Sequence, residues 1–219
     1  MNRAELKARA KQQIKGKIGI LFAITLIIGL ISGVAGAVLS FFPLGSLAVA
    51  IIITPAFALS LIRVYVNLFG GKTPEAKDAF SGFDDFWSAF KVTFLVGLYT
   101  FLWSLLFVIP GIIKAYAYSM SLYILAENKG KSARECINES KAMTEGHKME
   151  LFVLELSFFG WGLLTAITFG IAGIWVVPYM SATFTNAYYS LKPAAPVVDV
   201  PAVEAPIEEA PAADEESAE

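Results

Sequence analysis

The sequence has few of the residues that build disulfides, metal sites and catalytic centres. Its one cysteine, Cys136, excludes an internal disulfide, and its one histidine, His147, cannot form a metal site by itself. No nucleophile–base pair, phosphate-binding loop or zinc-ligand spacing occurs in the sequence. We therefore expect no catalytic activity and no cofactor.

Charge is also scarce, whereas apolar sequence is abundant. Charged residues make up 16% of the 219 residues and hydrophobic residues 56%, with a mean hydropathy of +0.62. The apolar residues lie in runs of about 18 to 25, the length of a helix that crosses the hydrocarbon core of a bilayer. This pattern excludes a soluble globular protein and predicts a polytopic membrane protein. The first run, 18–42, is longer than the core of a secretory signal, so we interpret it as an uncleaved span.

Short links rich in Pro or Gly divide the apolar sequence into pairs of segments. They lie at residues 43–45, 110–111 and 170–173, and each is a helix-stopping signal. The sequence thus predicts an all-α bundle of three helical hairpins, with Pro110 and Gly111 as the turn of the middle one. The six predicted spans are 18–42, 44–66, 92–109, 111–128, 150–169 and 171–191.

The basic residues predict the orientation of this six-span membrane domain, which covers residues 18–192. Residues 1–17 form a basic segment, and 16 of the 17 Lys and Arg side chains fall on the side of the N terminus. Because basic residues accumulate on the cytoplasmic side, we expect both termini in the cytoplasm. Residues 193–219 carry eight acidic groups, no basic group and five prolines, which predicts a disordered tail.

Span one carries small residues at intervals of four, including Gly29 and Gly33 in one row and Gly36 in the next. Such a face lets helix backbones approach closely in lipid. We expect it to pack against another span of the same chain, with a second protomer as the alternative.

Span four carries polar residues on two faces, with Lys114 and Tyr118 on one and Ser119 on the other. Because polar groups need partners in lipid, this helix is predicted to lie centrally in the bundle. Its polar groups either line a path for a small solute or lipid headgroup, or form interhelical hydrogen bonds.

Glu155 is the one acidic residue inside an apolar run of the predicted spans. Ionisable groups at such depth are costly and often functional, which makes Glu155 the strongest candidate site. Arg63 lies at a comparable depth in span two, so a structural ion pair between the two is an equally favoured interpretation.

Two segments outside the spans are predicted to be helical. Within residues 129–148, Ser132 and Glu135 have the spacing of a capping box, which predicts the start of a helix. We expect this helix to pack on the cytoplasmic end of the bundle, with recruitment of a partner as the alternative. The aromatic segment before span three is expected to lie in the membrane interface, with a break at Gly82.

Several segments resemble a bacterial integral membrane family known as domain of unknown function 975. The similarity covers about residues 1–190 and includes the segments 101–106, 109–114, 124–128, 146–154 and 175–179. The resemblance implies a helical bundle in the bacterial cytoplasmic membrane, similar to the membrane domain of some glycerophosphodiester phosphodiesterases. It implies no established activity.

Our leading hypothesis is a non-catalytic scaffold or accessory factor in envelope or lipid homeostasis. The alternatives are a transporter or channel for a small solute or lipid and, less favoured, a membrane-embedded enzyme. The expected partners are membrane lipids and a protein partner or second copy of the chain, but not nucleic acid.

Overall fold

The computed structural model describes residues 2–42, 49–168 and 170–192, and these residues form helices and turns without a β-strand. The predicted all-α class is confirmed. The predicted links at 43–45 and the tail at 193–219 lie outside the described residues. The α-helices are α1 (Arg3–Ile14), α2 (Ile18–Leu39), α3 (Thr54–Phe69), α4 (Phe86–Leu106), α5 (Val108–Tyr118), α6 (Ser121–Glu127), α7 (Ala133–Met143), α8 (Lys148–Leu156), α9 (Phe159–Ile167) and α10 (Gly173–Leu191). Shorter helical segments are Val49–Ile53, Ala76–Phe80 and Phe83–Asp85.

Five helical stretches of the described residues are long and apolar enough to cross a membrane. They are Ile18–Leu39, Ile51–Phe69, Ala76–Leu106, Val108–Glu127 and Lys148–Ile167. They correspond to the first five predicted spans. The sixth predicted span forms α10, which carries more polar residues and is not among the five, so the six-span count remains a prediction.

The middle hairpin forms, but its turn differs from the prediction. The chain reverses at Phe107, which is extended at φ −156° and ψ 142° between α4 and α5. Pro110 and Gly111 lie in the first turn of α5, where a missing proline N–H costs no hydrogen bond. A helix-stopping signal can therefore also mark the start of the following helix.

Gly111 instead sets the distance between α4 and α5. A Cβ atom added to Gly111 would lie 2.1 Å from Ser104 Oγ and 2.8 Å from Ser104 Cα. Farther along the hairpin, the rings of Tyr99 and Tyr118 are 6.2 Å apart. The two helices therefore approach closely beside the turn.

Two of the five spans are interrupted near their middle. The span from α5 to α6 breaks at Ser119 and Met120, which frees backbone groups that need partners in lipid. Ser140 of α7 supplies them, because its hydroxyl donates to the Ala117 carbonyl at 2.8 Å and accepts from the Met120 N–H at 3.2 Å. The other break, at residues 157–158, separates α8 from α9.

The helix α7 confirms two predictions. Ser132 and Glu135 form the expected capping box, in which each side chain accepts from the other residue's backbone N–H. The side of α7 that the sequence marks as less charged is buried against the bundle, including Cys136, Ile137 and Ser140.

The buried core lies at one end of the bundle, which we call the packed end and define by α1 and α7. The largest cluster joins residues of α1, α3, α4, α6, α7, α8 and α10, among them Leu59, Val92, Ile124 and Leu151. The opposite end, with the turn at Phe107, has little core: α9 buries none of its residues. The exposed apolar side chains there are suited to contact with lipid.

We predict that Gly111→Ala destabilises the protein by about 1–3 kcal/mol, because the new methyl group overlaps Ser104 and forces α4 and α5 apart. Unfolding of the detergent-solubilised protein by increasing dodecyl sulfate measures the change. Gly97→Ala is the matched control, since a Cβ at Gly97 of α4 meets no described atom within 4 Å. Equal stability of the two variants would contradict the close approach.

Candidate functional site

Glu155 lies in a groove on the surface of the bundle, beside the break between α8 and α9. The Tyr116 hydroxyl of α5 donates to Glu155 Oε2 at 2.5 Å, and the Phe152 ring lies edge-on to the Tyr116 ring at 5.9 Å. The groove has a volume of about 350 Å³. It is lined by Tyr116, Phe152, Glu155, Leu156, Phe158, Phe159 and Met180. It therefore combines one carboxylate with mostly apolar walls.

Arg63 does not pair with Glu155, so the predicted ion pair is wrong. Arg63 is only 5% exposed, and its guanidinium donates to the Ser81 carbonyl and forms an ion pair with Asp85. Both partners belong to the segment that precedes α4. Arg63 therefore fastens that segment to α3.

The same segment lies against α3 at Gly82, where the predicted break separates two short helical turns. The Gly82 N–H donates to Ser60 Oγ at 2.8 Å, and a Cβ at Gly82 would lie 2.0 Å from the Ala56 carbonyl oxygen. Only glycine fits this contact, which places Ser81 and Asp85 within reach of Arg63.

The polar residues of α5 have partners within the bundle. The Lys114 ammonium lies 4.8 Å from the Trp103 ring centroid, and the Lys141 ammonium lies 5.6 Å from that of Tyr118. The Ser119 hydroxyl, in the break after α5, donates to the Tyr116 carbonyl at 2.9 Å. Lys114 and Tyr118 thus have interhelical partners, as one of the two interpretations expects, but through cation–π contacts rather than hydrogen bonds, whereas the contact of Ser119 is local.

His147 lies at the start of α8, at the packed end. Its Nδ1 is 2.8 Å from Glu150 Oε2, one helical turn away. Among the described residues, no group of three His, Cys, Asp or Glu side chains is placed to hold a metal ion. The histidine thus has a partner, Glu150, in the first turn of α8.

The small-residue rows of α2 lie open. A Cβ atom added at Gly29, Gly33 or Gly36 would meet no described atom outside the local helix within 4 Å. Packing of this face against another described helix of the chain, which the sequence led us to expect, is therefore not seen. Of the 22 residues of α2, Leu21 and Ile24 are buried, and both lie in its first two turns.

One polar cluster was missed by the sequence reasoning. Glu127, at the end of α6, accepts from the Tyr188 hydroxyl and from the Lys192 ammonium, each at 2.6 Å. The neighbouring Tyr189 ring stacks on Phe69 with centroids 3.7 Å apart. The adjacent tyrosines Tyr188 and Tyr189, near the end of an apolar run, are the feature of the sequence that could have indicated this contact between α6 and α10.

The comparison with protein families decides the family of the chain. Residues 1–115 and 104–195 match the model described as "Protein of unknown function (DUF975)". The chain belongs to the DUF975 family. No curated protein and no solved structure matches it. The region of this DUF975 protein that matches includes Glu155, Arg63 and all helices described above.

We predict that Arg63→Gln destabilises this DUF975 protein by about 3 kcal/mol, because it leaves the carboxylate of Asp85 without its buried partner. Arg63→Lys is expected to restore only part of the loss, since one ammonium cannot replace both guanidinium contacts. Unfolding by dodecyl sulfate measures the stability of the wild type, Arg63→Gln and Arg63→Lys.

Glu155→Gln is the matched control, because it also removes one charge but leaves the Tyr116 hydroxyl an oxygen to donate to. We expect a change below about 1 kcal/mol for this variant. A larger loss of stability for Glu155→Gln than for Arg63→Gln would contradict this assignment and favour Glu155 as the residue of a structural ion pair.

Proposed function

We propose that this protein is a non-catalytic membrane scaffold whose packed end faces the cytoplasm and presents α7 to a protein partner. The observation that carries the proposal is the attachment of α7 to the break in the span of α5 and α6 through Ser140. A water-soluble helix held in this way keeps a fixed position relative to the membrane. A fixed, polar surface is what a scaffold needs.

The free side of α7 supports this role. Arg134, Glu135 and Asn138 are exposed, and Lys131 forms an ion pair with Glu139 at the edge of the helix. The hydrogen bond from Lys131 to Glu139 raises the pKa of the lysine, so the ammonium group stays charged at neutral pH. The exposed surface is therefore polar and of mixed charge.

Cys136 supports a structural role for the other side of α7. The thiol is fully buried, and burial raises its pKa to about 11. Because the thiolate is the reactive form, this cysteine is a poor nucleophile at neutral pH. The proposal of a non-catalytic protein agrees with this environment.

A location in the bacterial cytoplasmic membrane, with both termini in the cytoplasm, belongs to the same proposal. Its support is the basic sequence of α1 and of the segment around α7, which share the packed end of the bundle. We further propose a role near lipids, by analogy with the membrane domain of some glycerophosphodiester phosphodiesterases that the sequence pattern resembles.

We predict that one variant, Asn138→Cys in a Cys136→Ala background, tests both orientation and partner binding. Asn138 is exposed on α7. A membrane-impermeant maleimide is expected to label it only after the cells are permeabilised. A permeant maleimide–benzophenone reagent on the same cysteine is expected to give one crosslinked adduct of defined mass.

Leu163→Cys in the same background is the control for the crosslink, because Leu163 is 56% exposed on α9, away from the packed end. It is expected to give no protein adduct. Labelling of Asn138→Cys in intact cells would refute the orientation. The absence of its adduct, or the same adduct from Leu163→Cys, would refute the scaffold.

A transporter is the second candidate function, and the groove at Glu155 favours it. A carboxylate with one hydroxyl partner in an otherwise apolar groove is a common element of proton pathways in membranes. Against it stand the partners of Lys114 and Tyr118, which occupy the polar faces of α5.

Proton flux separates the two functions. We predict that proteoliposomes with the purified protein and a trapped pH-sensitive dye lose a pH gradient no faster than empty liposomes. The Glu155→Gln variant is expected to behave identically. A faster loss in the wild type that Glu155→Gln abolishes would favour the transporter over the scaffold.

A further inference from the structure

The basic helix α1 is a fixed part of the bundle. Leu6, Ala10 and Ile14 are buried along one side of it, and Ala10 is fully buried. The Asn186 side-chain amide of α10 donates to Gln13 Oε1 at 2.7 Å. The cations on the other sides of α1 therefore have fixed positions relative to the spans.

Arg3, Lys7 and Lys11 follow one another at intervals of four along α1, so they lie in one row. The Lys7 ammonium is 4.5 Å from the Phe158 ring centroid, and the Lys11 ammonium is 5.6 Å from that of Tyr179. The row thus lies over the break between α8 and α9 and beside α10.

This row of cations lacks a counter-charge in the described part of the chain. No described carboxylate lies within 4 Å of Arg3, Lys7 or Lys11, and the acidic residue of α1, Glu5, pairs with Arg9 at 2.6 Å. Partial burial and the repulsion of Arg3 and Lys11 lower the pKa of Lys7. An anion between the cations would relieve this repulsion.

An open cleft of about 790 Å³ lies at the start of the row. It is lined by Asn2, Arg3, Ala4, Lys7 and Ser157. The two cations and the side-chain NH2 of Asn2 are donors that can hold phosphate oxygens. The Ser157 hydroxyl already donates to the Leu154 carbonyl, and Asn2 Oδ1 accepts from the backbone N–H groups of Ala4 and Glu5. The volume is within the range of sites that hold a small organic ligand.

The cleft lies next to the apolar groove described above. Ser157 lines the cleft, its neighbour Phe158 lines the groove, and Lys7 lies over the Phe158 ring. Farther along the groove, Leu156 and Phe159 are 55% and 71% exposed. A ligand with an anionic head and a hydrocarbon chain fits a basic cleft beside an apolar groove, whereas a free anion would make no contact with the groove.

We propose that α1 and the break between α8 and α9 form a binding site for an anionic phospholipid. Arg3 and Lys7 bind the phosphate group in the cleft, and the acyl chain lies along the groove beside Phe158. Phosphatidylglycerol has the required net charge, whereas phosphatidylcholine carries a compensating cation.

The test measures the binding of single phosphatidylglycerol molecules to the full chain in detergent by native mass spectrometry. The double variant Arg3→Gln, Lys7→Gln is expected to raise the dissociation constant of the first bound molecule at least tenfold. Lys15→Gln, Lys17→Gln is the matched control, because it removes the same charge from the same segment but leaves the cleft intact. We expect less than a twofold change for it.

Four further measurements make the result decisive. Both double variants are expected to unfold at the wild-type temperature without phosphatidylglycerol, and Lys7→Arg is expected to keep binding within about threefold. Phosphatidylcholine is expected to bind the wild type at least tenfold more weakly than phosphatidylglycerol. Inorganic phosphate at about 10 mM is expected not to displace the lipid.

The proposal is overturned if the two double variants lose equal affinity for phosphatidylglycerol, because equal losses would indicate nonspecific electrostatic attraction rather than a site. Displacement by inorganic phosphate would overturn it too, because it would identify a phosphate site that does not need the lipid chain. So would equal binding of the two lipids, or no binding of phosphatidylglycerol to the wild type.

Discussion

The hydrophobic effect stabilises helix packing only where the alternative is contact with water, and this constraint explains where the core of this protein lies. In lipid, an apolar side chain gains little by moving from hydrocarbon to protein. At the packed end, α1 and α7 cover the spans, and the buried residues Leu59, Ile124 and Leu151 belong to one cluster there. At the other end, α9 buries no residue. The polar helices α1 and α7 thus hold the apolar helices together from one side.

The same constraint makes the broken spans important. A helix that breaks near lipid exposes backbone groups, so each break must lie beside polar side chains. At Met120 the partner is Ser140, and the result is a rigid connection between α7 and the spans. At Ser157 the break instead opens onto the cleft under α1. The break at Met120 therefore stabilises the contact between α7 and the spans, whereas the break at Ser157 forms part of a surface that can bind a ligand.

Much of the fold could be predicted from the sequence, but lateral neighbours could not. Run length indicates the spans, and the spacing of Ser132 and Glu135 indicates the start of α7, because both depend on local sequence. The position of Arg63 near the end of its span can likewise be predicted from local sequence. Its partner cannot, because Asp85 and Glu155 are both acidic residues of suitable chemistry. The contact of Gly82 with α3 decides between them, and it is visible only in three dimensions.

The charges around Phe158 determine how an amphiphile can lie at the second break. Lys7 lies over the Phe158 ring and lines the cleft, whereas the groove that Phe158 also lines contains Glu155 and no cation. A phosphate is attracted to the cations of the cleft and finds no opposite charge in the groove. A phospholipid therefore has one favourable direction, with its head at α1 and its chain past Glu155. In that arrangement the Tyr116 hydroxyl remains the hydrogen-bond donor to Glu155, and the acyl chain excludes water from the groove, which makes an open proton path there unfavourable.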